Sequence, residues 1–81
     1  MKTKFEKNSF EWYMFQDFWR ITQEFWIVED NEKYWEQLVK NITVFGDKYN
    51  HDKFALSLAY ALIDELNRKS EKLKKEQLGK E

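Results

Sequence analysis

Between Met1 and Glu81 there is no proline, and the two glycines stand at positions 46 and 79. Hairpins and strand turns draw heavily on these residues, because glycine reaches the left-handed backbone region freely and proline presets a bend. A chain without them reverses direction mainly at helix ends. Its apolar residues, moreover, recur three and four apart along its length, which is the period of a helix. The expected fold is all-α: a three-helix up-down-up bundle with a long C-terminal helix, in a single domain spanning 1–81.

The spacing places the helices at about 9–28, 31–49 and 52–77, with 1–8 and 78–81 frayed. Asn8 or Ser9 can cap the first, with Glu11 in its opening turn complementing the helix dipole; Asp30 or Asn31 caps the second, and Asn50 or Asp52 the third. In the second helix Trp35, Leu38, Ile42, Phe45 and Tyr49 form one seam, and the helix is expected to pass through Gly46 rather than end there. The third carries Phe54, Ala55, Leu58, Ala61, Leu62, Leu66, Lys69 and Leu73 along one line, while Leu56, Ala59, Tyr60 and Ile63 lie off it. Its second half is charged, and Asp64/Arg68, Glu65/Lys69 and Glu71/Lys75 are spaced to pair at i,i+4.

The first helix carries the most unusual composition. The stretch SFEWYMFQDFWRITQEFW, residues 9–26, holds eight of the fifteen aromatic side chains, with Trp12, Trp19 and Trp26 seven apart. A coiled coil needs apolar a and d positions over three or four heptads, whereas these tryptophans span two intervals with Thr22 at one intervening d position. An aromatic face can also stack bases or cage a cation. The simplest reading is core. A chain this short buries only about 60–65 % of its unfolded surface, and it has no cysteine with which to reinforce itself, so large rings are its main resource. Trp12, Phe15, Trp19, Trp26, Trp35 and Leu62 are the expected core, and Trp19→Ala is expected to cost about 3–5 kcal/mol.

The first helix and the start of the third offer more apolar surface than a three-helix monomer can cover, since such a helix needs only a stripe somewhat over 100° wide. A homodimer with a two-fold axis would cover the rest. Its interface is expected at Leu56, Ala59, Tyr60 and Ile63, at Trp12 and Trp19 on the first helix, or at both.

Charge sets further bounds. The formal net charge is −1, which argues against a general grip on nucleic acid or anionic lipid. The N-terminal ten residues have no apolar signal-peptide core, and the longest uncharged apolar run, FALSLAYALI at 54–63, is too short to span a bilayer; a soluble, cytoplasmic protein is expected. Glu29, Asp30, Glu32 and Glu36, with Glu24 nearby and Lys33 as the sole counter-charge, surround the first turn. Acidic residues are ordinary at a helix N-terminus, and the same cluster would suit a basic protein partner. Arg68, Lys69, Lys72, Lys74 and Lys75 complement the end of the last helix, and Glu71 and Glu76 dilute them as a nucleic-acid patch. The one histidine, His51, has Asp47 a turn before it and Asp52 beside it, which reads as an exposed or capping position rather than a metal site, since zinc needs three or four ligands. No cysteine nucleophile, glycine-rich phosphate loop, G-x-S-x-G or H-E-x-x-H occurs. The expectation is a non-enzymatic protein without cofactor or metal, acting through contact with itself or with another protein.

The motif FWIVEDNEKYWEQLV at 25–39, followed by FALSLAYALIDELNRK at 54–69, resembles short helical proteins encoded on phages and mobile elements of low-GC Gram-positive bacteria. That resemblance implies a helical fold and an accessory or host-interaction setting, and it assigns no functional residue.

Overall fold

The structure, a computed structural model, describes residues 4–79, with side chains through Glu76. Three helices, α1 (Phe10–Phe25), α2 (Glu32–Lys48) and α3 (Lys53–Gly79), pack so that each touches the other two, and no strand occurs among the described residues. No helix among them is long and apolar enough to cross a membrane.

Each helix begins at a side chain that takes up an otherwise orphaned backbone N–H. Ser9 accepts from the Trp12 amide (3.2 Å) and Asn31 from that of Tyr34 (2.8 Å), while Asp52 takes those of Phe54 (3.1 Å) and Ala55 (3.2 Å). Residues 4–8 lie outside any helix, and here the Ser9 amide closes a turn on the Glu6 carbonyl (3.1 Å) and Phe5 stacks on Phe15. At the other end α3 runs two residues past 77; positions 1–3 and 80–81 lie outside the described residues.

α2 passes through Gly46 and ends on a Schellman motif. Tyr49 is its C-cap, Asn50 turns into the left-handed region (φ 54°), the Asn50 amide bonds the Asp47 carbonyl (3.1 Å), and the His51 amide reaches back to the Gly46 carbonyl (2.8 Å). His51 is left-handed as well (φ 57°). Two successive left-handed residues followed at once by the Asp52 cap turn the chain from α2 into α3 with no glycine in the bend.

The core contains Met14, Ile21 and Phe25 of α1, Leu38 and Phe45 of α2 with Tyr34 and Tyr49, and Ala55, Ala59, Leu62 and Leu66 of α3. The α2 seam holds as expected: Trp35 and Ile42 are half-buried against this cluster. The expected core holds only in part: Leu62 is buried and Trp35 half-buried against the cluster, but on α1 Trp12 is half-buried, Phe15 is exposed, and Trp19 and Trp26 are 62 % and 47 % exposed. At about 100° per residue, Met14, Phe18, Ile21 and Phe25 share one narrow stripe, and the tryptophan line lies about 130° away from it. Where the three helices converge, Met14, Ile21, Leu38 and Leu66 are almost fully enclosed, the single rings of Phe25, Tyr34, Phe45 and Tyr49 pack around them, and the bulkier indoles lie at the rim.

Candidate association surface

α1 ends three residues before its predicted limit, and the reason defines the site. With no glycine to cap it, the helix relies on its neighbours for its last carbonyls. The buried Tyr34 hydroxyl donates to the Phe25 carbonyl (2.6 Å), and Lys69 of α3 donates to the Trp26 carbonyl. The same ammonium lies 3.8 Å from the centroid of the Trp26 ring, a cation–π contact. Lys69 therefore fixes the backbone end and the indole together and leaves the far side of the ring in solvent.

Beside that ring opens an apolar groove of about 490 Å³ lined by Trp19, Thr22, Gln23, Trp26 and Ile27, the last 82 % exposed. A second groove, of about 590 Å³, continues from Trp26 and Ile27 to Lys72, Leu73 and Glu76 of α3. Towards the other end of α1, Phe15 stands between Phe5 (5.8 Å between centroids) and Phe54 (5.9 Å, edge-on), and both of these rings are also exposed. One flank of α1 is thus aromatic and uncovered over most of its length.

The sequence-derived interface splits on this geometry. Ala59 is fully buried within the chain and contacts the core, so it cannot belong to a surface. Leu56 and Ile63 are half-buried; Leu56 packs on α2, its Cδ2 3.4 Å from where a Cβ at Gly46 would stand. Tyr60 is exposed, Trp12 half-buried and Trp19 exposed. The α1 flank bearing Trp19 is the one whose Phe15 meets α3, whereas Tyr60 falls on the side of α3 near Leu56, towards α2. The two exposed residues therefore lie on different faces.

Glu29, Asp30, Glu32 and Glu36 are all exposed around the α1–α2 turn. Glu29 borders an open pocket with Glu24, Lys33 and Tyr34, and Glu24 pairs with Arg20 (3.5 Å). Of the basic residues on α3, Arg68 pairs with Glu65 (3.0 Å) instead of Asp64, and Lys69 is taken up by Trp26. His51 is exposed and meets Asp47 at 3.0 Å, while Asp52 is spent on capping.

One polar cluster has no counterpart in the sequence reading. Asp17 on α1 accepts from the Tyr49 hydroxyl and from Lys48 Nζ (2.7 Å), joining α1 to the end of α2 across about thirty residues of chain. Burial pushes the Asp17 carboxyl up, but the Lys48 and Tyr49 hydrogen bonds outweigh it, and the net pKa lies below the ordinary value. Burial, then the bond to Asp17 and its charge, raise Tyr49 well above the usual tyrosine range. Burial, with the Glu29 charge second, raises Tyr34. No family model, curated protein or solved structure matches this chain.

Proposed function

We propose that this protein is a helical association module: it acts by protein–protein contact and in the first instance binds itself. The observation that carries this reading is the exposure of Trp19, with Trp26 and Ile27 beside it, on a chain whose core is already filled by other residues. Contiguous exposed apolar surface rimmed by polar groups marks a contact site in soluble proteins, and tryptophan is the side chain most enriched among residues that dominate binding energy. A net charge of −1 opposes self-contact very little.

The up-down-up course is favoured by the contacts, since Phe18–Phe45 and Phe25–Tyr34 pair α1 and α2 in opposite directions while Phe15–Phe54 and Trp26–Lys69 pair α1 and α3 in the same one. The resemblance of the 25–39 motif to helical proteins of phages and mobile elements fits an accessory setting for such a module.

Light scattering after size exclusion, over a hundredfold range of concentration, tests the reading. A mass twice the 10.1 kDa of one chain is expected, and a constant monomer would refute self-association. A second reading rests on the four exposed carboxylates of the α1–α2 turn: a surface for a basic, nucleic-acid-binding protein. Reversal of Glu29, Asp30 and Glu32 to lysine separates the two readings, because it should abolish such binding and leave the dimer mass unchanged.

A further inference from the structure

The groove beside Trp26 has the form of a coiled-coil hole. Its walls Trp19, Thr22, Gln23 and Trp26 stand at i, i+3, i+4 and i+7, the four-residue arrangement that receives one knob from a facing helix. From Phe15 to Trp26 the outward stripe reads Phe15, Gln16, Trp19, Thr22, Gln23, Trp26 and carries no charged residue. Thr22 is the smallest of the four walls and stands between the two indoles, so a large side chain is needed to fill the hole. The exposed part of α1 supplies one.

A two-fold interface requires that if residue i meets j, then j meets i. On the stripe that carries Trp19, Trp12 is half-buried, so the exposed run goes from Phe15 to Trp26 and its midpoint falls between positions 20 and 21. Two copies of α1 set antiparallel about that midpoint bring Trp19 over Thr22 and Trp26 over Phe15, each large ring opposite a smaller side chain or an aromatic neighbour. We infer that the chain dimerises through antiparallel α1 helices, with Trp19 of each protomer seated in the hole at the partner's Thr22 and Trp26 packed on the aromatic cluster of the partner's Phe15 and the partner's Phe54.

This inference rests on the self-association proposed above and names its surface and register. The apolar area approaches what an interface takes. With each aromatic side chain carrying about 150–250 Å², the exposed fractions of Phe5, Phe15, Trp19, Trp26, Ile27 and Phe54 amount to roughly 600 Å². A standard interface takes about 800 Å² from each partner, and the polar rim supplies the remainder.

The test uses the full chain at a concentration where the wild type has twice the monomer mass. Trp19→Glu places a charge at the hole, and Gln23→Trp, at an exposed position, fills the hole from its own chain. Each should weaken association at least tenfold, with helix content retained by circular dichroism, and Tyr60→Glu on the other face should leave it unchanged. The chain lacks cysteine, so a Glu11→Cys variant takes a single spin label. Antiparallel α1 helices in this register put the two labels roughly 30 Å apart at 1.5 Å per residue, and a parallel pair would leave them about 10 Å apart. A dimer that survives both hole variants, or labels at the short distance, overturns this inference and leaves self-association on another face standing. A wild type that is monomeric throughout overturns both.

Discussion

α1 presents two aromatic-rich faces that a count of apolar residues cannot tell apart, and they do opposite things. One face, Met14, Phe18, Ile21 and Phe25, is covered by α2 and α3; the other, Trp19 and Trp26 with Phe15, meets solvent. The covered face uses smaller and more adaptable side chains, and it is closed by polar contacts at both ends: Tyr49 and Lys48 on Asp17, and Tyr34 on the Phe25 carbonyl. The uncovered face bears the larger rings and a single tether, Lys69 on Trp26. Hydrophobicity therefore measures what a residue would gain from burial, while shape decides which residue obtains it.

The difference should be largest when a covered residue is truncated. Ile21 and Leu38 are both 1 % exposed, and either residue changed to alanine should lose about 2–5 kcal/mol in urea unfolding, from lost transfer energy and the remaining cavity. A loss under about 1 kcal/mol at both positions would mean the covered face is loosely packed. Next in size is the polar closure. Tyr34→Phe strands the Phe25 carbonyl in a buried position and should cost about 1–3 kcal/mol.

The opposite closure gives a signature in pH. Asp17 has a lowered pKa in the folded chain, so its contribution is present above the unfolded carboxylate range and fades as pH falls through that range and below. Tyr49 has a raised pKa, so its contribution is complete below the unfolded tyrosine value near 10 and declines as pH rises past it. Tyr49→Phe should cost about 1–2 kcal/mol at neutral pH and flatten the thermal stability profile at both extremes. An unchanged acid limb in that variant would show that Asp17 is held by Lys48 alone.

A smaller effect of opposite sign is expected at the α2–α3 bend. His51 is a non-glycine residue at φ 57°, and its ion pair with Asp47 is exposed on both sides, where such pairs contribute little. His51→Gly should therefore raise stability by up to about 1 kcal/mol through release of left-handed backbone strain.

Much of this was legible in the sequence, and the illegible parts share a cause. Ser9, Asn31 and Asp52 were each among the caps expected, because capping depends on a few consecutive residues. The α2 seam emerges from spacing because mostly polar residues bracket it, whereas on α3, where only Ser57 interrupts the apolar run 54–63, the expected line catches Ala55, Leu58, Leu62 and Leu66 but also takes in the exposed Phe54, Ala61 and Leu73 and leaves out the buried Ala59. In α1 the apolar residues cover more than half the circumference, so the period was evident but the phase was not. That phase depends on which side chains fit between α2 and α3, a property of all three helices together. The same holds for Asp17 with Tyr49 and Lys69 with Trp26, which are 32 and 43 positions apart: no local pattern marks them. The aromatic run of residues 9–26 is visible in the sequence, but it divides into a core side and a surface side only once Met14 and Ile21 are seen to occupy the core.

The smallest effect is the most discriminating. Trp19 is the largest type of side chain in the protein and lies in the middle of its most aromatic stretch, so a core reading assigns Trp19→Ala about 3–5 kcal/mol. In the structure its ring is mostly in solvent, and exposed substitutions away from caps and networks usually fall within about 0.5 kcal/mol. Chemical unfolding of the Trp19→Ala variant, at a dilution where the wild type is monomeric, should give a stability within that margin. At high concentration the wild type should gain stability by mass action as it associates, and the variant should not. A concentration-dependent difference between two chains that are equally stable when dilute would separate the face that folds the monomer from the face that joins two of them; a large loss at every concentration would return Trp19 to the core.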